Sequence, residues 1–71
     1  MPWTPETPYV AQLFTRGRSE PEELFYETPD QLEQEIEKHK SSGLYARVWS
    51  GHGKSQDRNE WEEIGQWERG N

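Results

Sequence analysis

The side chains able to do chemistry in this chain fall into four groups, and the largest is acidic. Between Glu20 and Glu37 stand eight carboxylates and no Lys or Arg: Glu20, Glu22, Glu23, Glu27, Asp30, Glu33, Glu35 and Glu37. From Lys38 to Arg58 the sign reverses, with Lys38, Lys40, Arg47, Lys54 and Arg58 against Asp57 alone. Carboxylates in such a run can imitate a phosphate backbone or dock on a basic patch of another protein, because complementary fields steer charged partners. The bland alternative is a solvated helix face beside a charged edge strand that resists aggregation. Glu33 and Glu37 add weight to binding. They are like charges at i, i+4, a placement that costs a helix a few tenths of a kcal/mol and that helix stability does not ask for.

Tyr45-x-Arg47-x-Trp49 is the second group. Alternating aromatic and Arg side chains on an exposed sheet are what single-stranded nucleic acid stacks on. A net charge of −6 opposes a polyanion, however, and no RNP-like sequence is present. Trp, Tyr and Arg are also the types enriched at protein-binding hot spots, so a protein partner is the better expectation for this face. Otherwise it is ordinary cross-strand packing with Trp61 and a residue such as Phe14.

Trp3 and Trp67, each near an end of the sequence, form the third group. They are expected to fold back over the open sheet face, the alternative being insertion into a partner. The fourth group is His39, His52 and Asp57, which make no zinc spacing. His39 suits a helix C-terminus and His52 a glycine-flanked loop. Gly51-x-Gly53-Lys54 is too short for a phosphate loop and precedes a strand rather than a helix. No cofactor and no metal is expected, and because a single thin layer of helix on sheet offers little concavity the chain reads as a non-enzyme.

The elements that must position these groups are few. At 71 residues the chain makes one domain, of a size that buries only about 60–65% of its unfolded surface. Apolar residues are 28%, against roughly 45–50% in ordinary domains, so the nine aromatics must supply much of the core. Those aromatics also argue against disorder. A marginal fold leaning on a partner or a second copy is expected, with a homodimer as one form of it. Without Cys there is no disulfide, which together with the lack of a signal peptide or membrane-spanning run points to a soluble, cytoplasmic protein.

Residues 1–8 read as an extended, proline-rich arm, 9–68 as a single α+β domain and 69–71 as a tail. Strands are expected over 9–16 and 23–27, joined by the turn chemistry of 17–22. A helix is expected over 29–42. Thr28 is its N-cap, Pro29 its first residue, Gln31 completes a capping box and Gly43 ends it. Leu32, Ile36 and His39 form its inner stripe. Strand three is expected over 44–50, with Leu44, Ala46 and Val48 facing inward and Tyr45, Arg47 and Trp49 outward. After a polar loop over 50–58, which should bring Lys54 and Arg58 near Glu27 and Asp30, comes strand four over 59–67. There Trp61 and Ile64 are three apart, which breaks period two and predicts a bulge near Gly65.

The order is ββαββ. A helix that carries the chain back along the sheet makes strand three parallel to strand two, and local pairing then inserts strand one between them. The expected fold is a four-stranded antiparallel sheet of order 2-1-3-4 with one helix on one face.

In scale, acidity and element order the chain resembles small phage-encoded inhibitors of host machinery, among them some anti-CRISPR proteins and small RNA polymerase inhibitors. The likeness is one of architecture, and it implies an inhibitor that occupies a host protein. The functional expectation is a non-catalytic inhibitor or adaptor. It would dock on a basic, nucleic-acid-binding surface through Glu20, Glu22, Glu23, Glu27, Asp30, Glu33 and Glu37, with Tyr45, Arg47 and Trp49 as further contacts. A nucleic-acid-binding module and a homo-oligomeric structural subunit are the alternatives.

Overall fold

The structure, a computed structural model, describes residues 3–69. Met1 and Pro2 of the expected arm and Gly70 and Asn71 of the expected tail lie outside the described residues. Strands β1 (Tyr9–Phe14) and β2 (Glu22–Tyr26) precede helix α1 (Pro29–Ser42), and β3 (Arg47–His52) and β4 (Glu62–Glu68) follow it. The strands form one antiparallel sheet of order β2-β1-β3-β4, as the ββαββ pattern predicts. Among the described residues, no helix is long and apolar enough to cross a membrane.

Helix α1 begins and ends where its caps dictate. Thr28 is extended (φ −131°), and its Oγ1 accepts the Gln31 N–H at 3.2 Å, satisfying one of the orphan donors of the first turn. The Gln31 side chain reaches one residue further back than a capping box requires, accepting the Glu27 N–H at 3.1 Å rather than that of Thr28. Gly43 closes the helix in the left-handed region, at φ +72°, where a side chain would be strained.

On the helix side, Leu32 seats against Ala11 and Leu13 of β1 and Val48 of β3, all four essentially inaccessible to solvent. Tyr9, Leu24, Tyr26, Ile36, Tyr45 and Trp67 ring this cluster. Four small aliphatics could not close a core alone, and the aromatics supply the missing area.

The strand bounds shift in one instructive place. β3 begins at Arg47, not at Leu44, and runs on to His52 through residues expected to form a loop. After the Gly43 turn the chain needs residues 44–46 to reach the sheet. Leu44, expected inside, is 69% exposed, and Tyr45 turns toward the helix. β1 stops at Phe14, β2 starts one residue early at Glu22, and Asn59 belongs to a short 3-10 turn over Arg58–Glu60 capped by the Asp57 side chain. The bulge falls where the broken period requires it. Ser50 pairs with Gly65 and Gly51 with Glu63, so Ile64 is the extra residue.

The sheet face away from the helix is not bare. Val10, completely buried, lies there between its register partners Phe25 and Gly51. The Trp49 indole lies over Gly51, while Trp3 and Trp61 both close on Gly53. Phe25 meets Trp61 edge-on, with ring centroids 6.2 Å apart. Gly51 and Gly53 leave the room into which large rings settle, so a second, aromatic layer backs the sheet. Trp3 therefore folds over this face as expected. Trp67 does not: it packs on the helix side, because its register partner is the inward-facing Val48.

Candidate protein-binding surfaces

Folding sorts the acidic run into paired and unpaired members. Lys38 bonds Glu35 at 3.0 Å, Lys40 bonds Glu37 at 3.3 Å, and Lys54 bonds Glu62 at 2.7 Å. Arg58 clamps Glu23. Each described lysine is thus spent on a carboxylate. Glu20, Glu22, Glu27, Asp30 and Glu33 are exposed and have no basic partner among the described residues. Glu37 carries its own explanation in Lys40, which offsets the like-charge cost against Glu33.

The run does not form one patch. Burial first, and then the nearby Glu35, Glu22 and Tyr45, push the Tyr26 phenol up to about 12, so Glu22 and Glu35 gather on the β2 side of α1. Glu33 and Glu37 point the other way, toward β4. Glu23 alternates onto the opposite sheet face, where Gln12 donates to it at 3.0 Å and the Arg58 Nε at 3.1 Å. The loop of Lys54 and Arg58 lies, as expected, at the end of the sheet where β2 passes into α1, but its ion pairs go to Glu62 and Glu23.

Glu23 is a structural carboxylate. Burial pushes its carboxyl up, but the hydrogen bonds from Arg58 and Gln12 and the Arg58 charge together hold it below the usual range. A depressed folded value means that its contribution is fully present above the unfolded value of about 4.3 and is lost as pH falls through the folded one. Urea midpoints measured between about pH 6 and pH 3 should therefore fall less steeply for Glu23→Gln than for wild type. Identical slopes would show that the clamp does not form in solution.

The expected Tyr45-Arg47-Trp49 face comes apart. Tyr45 lies on the helix side, edge-on to His39 at 5.3 Å between centroids, because it precedes β3 and escapes the strand's alternation. The His39 Nε2 is buried there without a hydrogen-bond partner. Arg47 and Trp49 do share the opposite face, but both are engaged. The Arg47 guanidinium stacks 4.0 Å above its register partner Phe14, and Trp49 covers Gly51. His52 packs edge-on against Tyr9 at 4.9 Å. No group of three or more His, Cys, Asp or Glu is placed to hold a metal among the described residues.

Against the expectation of little concavity, the structure has one concave feature beside the helix. Helix α1 packs on β1, β2 and β3 and leaves β4 uncovered. The gap is a groove of about 600 Å³ whose floor includes Leu32, Ile36, Val48, Ile64 and Trp67, with Glu33, Glu37 and Lys40 on the helix rim. Ile64 is 53% exposed, an outward consequence of the bulge. The broken period at Trp61 and Ile64 was the only sequence signal for it. Comparison with family models, with curated proteins and with solved structures finds no match to this chain.

Proposed function

We propose that the protein is a non-catalytic interaction protein, an inhibitor or adaptor that occupies a basic, nucleic-acid-binding surface of a larger protein. The observation that carries this reading is the set of unpaired carboxylates around α1 and its approach, Glu20, Glu22, Glu27, Asp30 and Glu33, left exposed after every described lysine has been consumed elsewhere. None of them is held in an ion pair among the described residues, so their charge can act outward, raising association rates with a cationic surface. The nucleic-acid reading has less support, because Arg47 and Trp49 already pack against Phe14 and Gly51.

The test is charge reversal. Glu27→Lys with Glu33→Lys leaves every ion pair and buried contact intact and changes local charge by about four units, while Glu6→Lys with Glu63→Lys is the matched control. Proteins captured from host lysate by the wild type at low salt should be basic, should be displaced by added nucleic acid, and should be lost at high salt. The first pair should capture markedly less and the control pair about as much as wild type. Equal capture by both pairs would reduce the carboxylates to a solubility device.

A further inference from the structure

We infer that the groove between α1 and β4 is the anchoring part of that interface, and that it takes a segment of the partner protein carrying a large apolar side chain flanked by Lys or Arg. This rests on the reading above and adds a specific seat to it. The groove is built by two features of the chain. The helix stops short of β4, and the β4 bulge turns Ile64 out beside Gly65, which has no side chain to fill the space. Ile36, Ile64 and Trp67 then form an apolar floor that nothing in the described chain covers. Apolar surface of this kind beside a charged rim marks a place where another molecule sits.

The rim selects the occupant. Glu33 stands over the groove with no basic partner among the described residues, and the exposed Glu37 beside it holds only the half-buried Lys40. A second copy of this chain would set Glu33 and Glu37 against another surface of a protein of net charge −6. It would also meet Glu63 and Glu68 along the β4 edge, like charges that resist self-pairing. A neutral apolar segment would fill the floor and leave the Glu33 carboxylate unpaired and partly desolvated. A basic segment with an apolar anchor satisfies both floor and rim, which is how specificity and affinity combine at interface hot spots.

The experiment uses the full chain and three short synthetic peptides: alternating Leu and Lys, alternating Ser and Lys, and alternating Leu and Ser. Binding is followed by amide chemical shifts in NMR titrations, with Gly65→Leu and Ile64→Ser as variants. Gly65 has a negative-φ backbone, and a Cβ there would meet only the Ser50 Oγ at 3.4 Å, so a larger side chain can grow into the groove. Ile64→Ser removes an exposed side chain and covers the case in which Gly65→Leu fails to fold.

The Leu/Lys peptide should bind most tightly, shifting Ile36, Ile64, Gly65 and Trp67. Either variant should weaken it about tenfold or more, the effect of blocking or losing an apolar pocket contact. The Ser/Lys peptide should bind weakly, with salt sensitivity, and indifferently to both variants. Equal binding of Leu/Lys and Ser/Lys, unaffected by the variants, would overturn the groove while leaving the acidic-surface reading intact. If the Leu/Ser peptide binds as well as Leu/Lys, the charge reading fails instead. A concentration-dependent dimer whose shifts map to the groove would show a second copy as the occupant and overturn the proposal.

Discussion

Leu32→Ala is expected to leave the protein largely unfolded at room temperature. Leu32 is the single fully buried residue of α1 and the point where the helix meets Ala11, Leu13 and Val48. Truncating a buried Leu costs about 2–5 kcal/mol, the transfer term plus the cavity left behind. A domain below roughly 70–80 residues, with no disulfide or metal, rarely draws more than about 3–5 kcal/mol from its core. The loss therefore matches the whole reserve. Circular dichroism should show the helical signal gone and no cooperative urea transition. Leu32→Met, which conserves volume at a cost below about 1.5 kcal/mol, should remain folded and separates cavity formation from mere substitution. A Leu32→Ala protein with a near-wild-type urea midpoint would mean that the aromatic ring, not Leu32, docks the helix.

The same scarcity of aliphatics decides how much of the fold was legible in the sequence. Helix α1 could be read to the residue because its ends are set by local chemistry: the Thr28 hydroxyl, Pro29, and Gly43 at positive φ. The bulge was legible because a strand's period of two is strict, and Trp61 and Ile64 violate it. Sheet order followed from connection rules. Tyr45 and Trp67 went to unexpected faces because a side chain's face depends on where the strand begins and on what its register partner faces. Neither is local. The pairing of Glu23 with Arg58 was equally out of reach, since their separation of 35 residues closes only through the sheet. A run of charges in the sequence says nothing of which members the fold will neutralise. That sorting separates the structural carboxylate Glu23 from the outward-acting Glu27 and Glu33.

Gly51→Ala should destabilise the protein by about 1–3 kcal/mol, against the direction that propensity alone predicts. Within a strand, Gly is poorer than Ala through its larger loss of backbone freedom, worth roughly 0.5–1 kcal/mol, so the substitution would ordinarily help. Here a Cβ would lie 2.1 Å from a ring carbon of Trp49 and 2.7 Å from the Glu62 carbonyl oxygen, both closer than packed atoms approach. The two clashes differ in kind. Trp49 is a side chain and can swing aside, but only by uncovering the aromatic layer over Val10. The Glu62 carbonyl is held by β3–β4 pairing beside the bulge and can move only by disturbing the ladder. Trp49→Leu should accordingly recover part of the Gly51→Ala loss in a double-mutant cycle, and the backbone clash should keep the remainder. Gly65→Ala supplies the contrast: its Cβ meets only Ser50 Oγ at 3.4 Å, an ordinary contact, so its urea midpoint should match or slightly exceed wild type. If Gly51→Ala were instead as stable as Gly65→Ala, the Trp49 ring would not rest on the strand in solution. Its indole would then be free to stack, and the nucleic-acid reading of that face would regain its footing.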